Sequence, residues 1–213
     1  ATMDRIMSFD ECMSVVDECR SPVITITGGE PLLHPDIDKI IRGVLAKKRY
    51  IYLCTNGITL ADSLKKFEPD PRLNINVHLD GLSETHDRIV GAKGVFQKAT
   101  DAIKKAKQSG FNVCTNTTIY KDTDPKEIEE LFKLLTKMHI DGILISPGFS
   151  FEDNKNDVFI QKEEFYNKFS FIYDLSKKYK ILNTPLYLKF LKGERNLMCT
   201  PWGNPTRNFH GWK

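Results

Sequence analysis

Five short β-branched runs lie between residues 23 and 146, and segments whose apolar residues recur at helical spacing separate them. The runs are residues 23–26, 50–53, 73–79, 112–120 and 142–146. Helical patterns occupy 37–45, 60–67, 95–109 and 125–138, with Ile37, Ile40, Ile41 and Val44 marking one face of the first of them. Strands joined through helices over short connections pair in parallel, and their crossovers are right-handed. The expected class is therefore α/β. Five strands suit a partial (β/α) TIM-like barrel better than a complete eightfold one. In such a sheet a ligand sits at the carboxyl ends of the strands. Those ends carry Gly28-Gly29-Glu30, Cys54-Thr55-Asn56, His78-Leu79-Asp80, Thr115-Asn116-Thr117 and Ser146-Pro147-Gly148, a polar, glycine-bearing rim.

The first of these ends is the most informative. Residues 23–27 read as a buried strand that stops in two glycines, which let a ligand approach the backbone. Pro31 ends the strand and holds Glu30 in one orientation, and a carboxylate so placed suits an ammonium group. Upstream, Ser8 and Glu11 have capping-box spacing and start a helix that runs to about residue 19, with Cys12 and Cys19 as small apolar residues beside its inner face. Asp124 and Pro125 open the 125–138 helix. Beyond Phe149 a charged loop leads to a helix at 165–179, an apolar stretch at 185–191 of unassigned state, and a segment from Cys199 to Asn208 too rich in turn formers for regular structure. The division expected is a barrel core at 1–149 and, at 150–213, a C-terminal helix with an irregular substrate-side loop.

A charge balance of 31 basic to 28 acidic residues, net +3, offers no basic tract for nucleic acid. No apolar run approaches the roughly 18 residues of a membrane span, and no signal peptide opens the chain, so the expected location is cytoplasmic. Five dispersed cysteines without a CxxC pair argue against a disulfide framework and a closed zinc site.

Gly28-Gly29-Glu30-Pro31 resembles the signature by which radical S-adenosylmethionine (SAM) enzymes grip the amino group of SAM. Together with Cys54-Thr55-Asn56, Val77-His78-Leu79-Asp80-Gly81, Ile145-Ser146-Pro147-Gly148 and Cys199 to Asn208, in order along nearly the whole chain, it resembles the radical SAM adenosyltransferases of hopanoid biosynthesis, the adenosylhopene synthases. The resemblance implies a radical SAM type of partial barrel, a four-iron four-sulfur cluster, and addition of a 5′-deoxyadenosyl radical to a hopene to give adenosylhopane. It implies a hydrophobic triterpene as substrate, a flavodoxin or ferredoxin as electron donor, and at most peripheral contact with a membrane. SAM would be bound by Gly28, Gly29, Glu30, Asn56, His78, Asp80, Asn116 and the backbone at Ser146. Cys54 would supply a hydrogen atom to the carbon radical left by the addition, because a thiol S–H bond is weak.

One departure stands out. The family ligates its cluster through CxxxCxxC after the first strand, and no such spacing occurs here. The expectation is that this loop precedes residue 1. Three alternatives remain open: a radical SAM enzyme with another substrate, a non-catalytic SAM or nucleoside-binding remnant, and a polar-chemistry barrel enzyme using Glu30, His78 and Asp80 as acid and base.

Overall fold

The computed structural model describes residues 5–148, 162–196, 207–208 and 211–212. Helix α1 (Phe9–Cys19) opens with a complete capping box, in which the Ser8 side chain accepts from the Glu11 N–H and the Glu11 carboxylate accepts from the Ser8 N–H. There follow β1 (Val23–Ile26), α2 (Ile37–Ala46), β2 (Tyr50–Thr55), α3 (Leu60–Ser63), β3 (Leu73–His78), α4 (Ser83–Val90), α5 (Val95–Gln108), β4 (Asn112–Ile119), α6 (Pro125–Lys137), β5 (Gly142–Pro147), α7 (Lys162–Leu175) and α8 (Pro185–Leu191). The five strands lie in the order β1-β2-β3-β4-β5, all parallel, as a curled half-barrel of the kind the alternation foretold.

Period-two alternation sorts each strand into two faces. Ile51, Leu53, Ile75, Val77, Val113, Ile143 and Ile145 are buried beneath the helices. Into the same core α2 sends Ile37, Ile40, Ile41 and Val44, α5 sends Phe96, Ala99, Ala102, Ile103 and Ala106, and α6 sends Ile128, Leu131, Phe132 and Leu135. Phe169, Ile172 and Leu175 of α7 and Leu188 and Leu191 of α8 join that one cluster. The opposite, concave face is polar. Register aligns Thr25 with Tyr52, Asn74 and Asn112, then Cys54 with Asn76 and Cys114, then His78 with Asn116, and finally Thr118 with Ser146.

The sheet ends differently at its two sides. Beside β5, Ile143 exchanges backbone hydrogen bonds with Lys180 and Leu182, and the Asn183 amide accepts from the Ile145 N–H at 2.8 Å while donating to the Ile145 carbonyl at 2.9 Å. One side chain thus satisfies both groups that a sixth strand would have paired. Beside β1 no further strand lies among the described residues.

That edge position corrects the reading of 23–27 as a buried strand. Val23 and Thr25 are exposed and Ile24 and Ile26 only half-buried, because β1 is covered on one edge and one face alone. The 60–67 helix divides into α3 and a 3₁₀ turn over Leu64–Lys66. Helix α4 went unassigned in the sequence, and 185–191 resolves as a helix with Thr184 capping and Pro185 at its first position. Helix α7 ends at Leu175, earlier than expected. Within the segment assigned no regular structure, Arg207–Asn208 pairs antiparallel with Gly211–Trp212; Cys199 and its neighbours lie outside the described residues.

Candidate functional site

The strand mouths converge on Glu30, whose carboxylate joins β1 to β2. Oε1 accepts from the Leu32 N–H at 3.1 Å and from the Thr55 hydroxyl at 2.9 Å, and Oε2 accepts from the Asn56 N–H at 2.8 Å. The Leu32 bond caps a 3₁₀ turn that begins at Pro31, so the proline that stops β1 also starts the turn that holds the acid. His34 fastens this turn from outside: its Nδ1 accepts from the Asp36 N–H, which leaves Nε2–H to donate to the Met7 carbonyl at 2.8 Å. Gly28 has φ +139°, a conformation that disfavours any side chain, and a Cβ there would project into open space rather than against protein. Glycine is thus required at this position by backbone conformation, and the space before it is free for a ligand.

Asn56, expected to bind through its side chain, is held in a turn. Its Oδ1 accepts from the Ile58 N–H at 2.9 Å, a local turn, and its backbone N–H donates to Glu30. The turn it shapes carries Gly57 at φ +80°, where a Cβ would come within 2.9 Å of the Ala99 Cβ on α5.

His78 and Asp80 meet as their spacing implied. His78 Nε2 lies 2.6 Å from Asp80 Oδ2 with the imidazole one-third exposed and the acid fully buried. Asp80 Oδ1 accepts from the Thr118 N–H at 2.7 Å, and the Asp80 N–H donates to His86 Nδ1 at 3.2 Å. The Asp80 carboxylate is thus turned into the protein, one oxygen on Thr118 and the other on His78, and it holds the His78 ring that faces out. Burial lowers the His86 pKa, consistent with a neutral ring whose Nδ1 accepts; its buried Nε2 finds no partner among the described residues. At the next mouth the Ser146 hydroxyl donates to Asn116 Oδ1 at 3.3 Å.

Cys54 is half-buried on the concave face with Asn76 Nδ2 3.8 Å from its sulfur. Burial raises the pKa of its thiol, with the nearby Glu30 carboxylate acting in the same direction, so the sulfur keeps its proton at neutral pH. Cys114, in register beyond Asn76, is buried and pushed up to about 11. Cys12 and Cys19 are half-buried on α1 rather than fully buried. Thr55 and Asn76 were not singled out by sequence reasoning, although alternation from His78 places Asn76 on the concave face. Two outer grooves, of about 520 and 430 Å³, open at the opposite end of the sheet and share no residue with this rim.

A parallel half-barrel with a carboxylate, a glycine-backed opening and the Cys54 thiol at its strand mouths has the form of a ligand-binding α/β core of the barrel type. The chain belongs to the radical SAM superfamily, whose family model matches residues 2–135, while a domain of unknown function, DUF3463, matches 143–213. It is 29% identical over 202 residues to the GTP 3′,8-cyclase of Clostridium botulinum (strain Okra), covering 91% of this chain and 63% of that protein. It is 30% identical over 137 residues to the AdoMet-dependent heme synthase of Methanosarcina barkeri, covering 62% and 39%. Among solved structures, Streptococcus suis SuiB bound to precursor peptide SuiA superposes with a TM-score of 0.72 at 16% identity, over 91% of this chain and 46% of that one. The anSMEcpe structure with bound AdoMet and Kp18Cys peptide superposes at 0.65 and 18%, over 90% and 55%. These structural likenesses speak for the fold. The chain spans less than two thirds of each relative. Their names are those of a cyclase and a heme synthase, so the superfamily part of the resemblance is established and the hopene acceptor is not.

The superfamily uses SAM and a four-iron four-sulfur cluster. The rim fits SAM: Glu30 offers a carboxylate, the front of Gly28 is open, and Asn76 Oδ1 is a buried acceptor without a partner among the described residues. A cluster is another matter. Among the described residues no group of three cysteine, histidine or carboxylate side chains is arranged to hold a metal ion, and Cys12, Cys19, Cys54 and Cys114 stand singly. Among those residues, also, no helix is long and apolar enough to cross a membrane.

Proposed function

We propose that the chain is the core of a radical SAM transferase that joins a 5′-deoxyadenosyl group to the terminal double bond of a hopene, giving adenosylhopane. The observation that carries this reading is the Cys54 thiol, held protonated on the concave face two residues from the Asn56 N–H that meets Glu30. The resemblance of Cys199 to Asn208 to the hopanoid adenosyltransferases supports the acceptor. Bound and reduced, SAM supplies the 5′-deoxyadenosyl radical; the cluster ligands that reduction needs are expected in a CxxxCxxC loop upstream of residue 1, and the electron from a flavodoxin or ferredoxin.

In this reading Glu30 binds the amino group of SAM, the front of Gly28 and Gly29 admits its methionyl chain, and His78, oriented by buried Asp80, accepts from a ribose hydroxyl. Asn116 and the backbone at Ser146 border the adenine. Cys54 gives its sulfur-bound hydrogen atom to the carbon left with an odd electron once the double bond is consumed, and one electron from the reductant with one proton restores the thiol. Residues 1–149 form the SAM-holding core and 150–213 the acceptor side.

A polar acceptor is the second reading. Thr25, Tyr52, Asn74, Asn76 and Asn112 give the concave face a hydrogen-bonding floor that suits a nucleotide better than a triterpene. One experiment separates the two: the full-length protein, reduced anaerobically with SAM, is offered a hopene or GTP and the products are weighed by mass spectrometry. Adenosylhopane, carrying one deuterium when formed in D₂O, supports the first reading. Turnover of GTP with hopene untouched overturns it.

A further inference from the structure

Resting on the reading of the rim as a SAM site, we infer that Thr55 is a positioning residue that fixes the Glu30 carboxylate and thereby sets recognition of the amino-acid end of SAM. Thr55 closes β2 and is buried, 5% exposed, so its hydroxyl is shielded from water. The Thr55 oxygen accepts from the Gly57 N–H at 3.1 Å, which commits its one hydrogen to Glu30 Oε1 at 2.9 Å.

A carboxylate offers about four acceptor positions. Leu32, Thr55 and Asn56 take three, two on Oε1 and one on Oε2, from two different strand ends. One position remains, on Oε2, and the other three prevent the group from turning to present another. An ammonium arriving there meets an acceptor that needs no reorganisation, which is where preorganised polar sites gain their affinity. Removing the Thr55 hydroxyl frees Oε1, lets the carboxylate rotate, and leaves the main-chain donors to compete with the ligand. The nucleoside half of SAM touches none of these atoms in this arrangement.

The test is a pair of binding titrations on the full-length, anaerobically purified protein, one with SAM and one with 5′-methylthioadenosine, which has the nucleoside and lacks the amino acid. For Thr55→Val, a close match in shape, SAM binding weakens about tenfold, as loss of a hydrogen bond to a charged group implies, while methylthioadenosine binding stays within about twofold. Thr55→Ser retains both affinities, and in a Glu30→Gln background Thr55→Val adds little further loss. Unchanged SAM affinity in Thr55→Val overturns the inference. So does equal weakening of both ligands, which assigns Thr55 to the Gly57 turn alone. Failure of the unsubstituted protein to bind either ligand overturns the SAM reading and the inference with it.

Discussion

The first and last strands of the sheet face opposite fates. Strand β5 is finished: Asn183 pairs with Ile145, residues 180–182 run beside Ile143, and α6, α7 and α8 bury the flank. Among the described residues, strand β1 pairs with β2 alone, and Val23 is 40% exposed. Gly28 and Glu30 follow this strand, and hydrogen bonds from the end of β2 hold the Glu30 carboxylate. Among the described residues, the helices that cover a sheet edge lie on the β5 side, and the carboxylate proposed to hold the amino group of SAM lies on the β1 side.

Substitutions on the two sides should therefore fail in different assays. Phe132→Ala, in the fully buried core of α6, should cost about 3–5 kcal/mol in denaturant unfolding. A loss under 1 kcal/mol would mean the β5 flank is not the stable half. Glu30→Gln should weaken SAM binding by tenfold or more, through loss of the charge, with a melting temperature close to that of the parent; a large drop in melting temperature would make the acid structural. Asn183→Ala should destabilise by about 1–3 kcal/mol, because it leaves two backbone groups of β5 unpaired, and should leave SAM affinity alone.

The smallest effect concerns pH. Burial raises the Cys114 pKa from 9.0 to about 11, so the unfolded chain loses this proton first. The stability tied to the neutral thiol is complete below pH 9 and is lost as pH climbs through 11. Cys114→Val should flatten the stability profile over that interval. An unchanged slope would place the alkaline sensitivity elsewhere.

Periodicity made β2 to β5, α5 and α6 legible, because each presents one continuous apolar face to a shared core. Helix α4 escaped because its N-terminus has no side-chain cap of its own; Glu127, 45 residues away from Leu82, accepts from the Leu82 N–H and the Thr85 hydroxyl. The site divides likewise. Glu30, Cys54 and the His78–Asp80 pair follow from their places at strand ends. That Asp80 is buried, that Asn56 turns back on Ile58, and that Thr55 grips Glu30 across 25 residues are facts of tertiary contact, which no local pattern encodes.

The central claim is that the mouths of β1 and β2 hold SAM by its amino group. An anaerobic crystal structure of the full-length protein with SAM tests it directly. The account predicts the ligand's nitrogen within hydrogen-bond distance of Glu30 Oε2 and its ribose facing His78. A ligand seated with its nitrogen away from Glu30, or in either groove at the far end of the sheet, would contradict it.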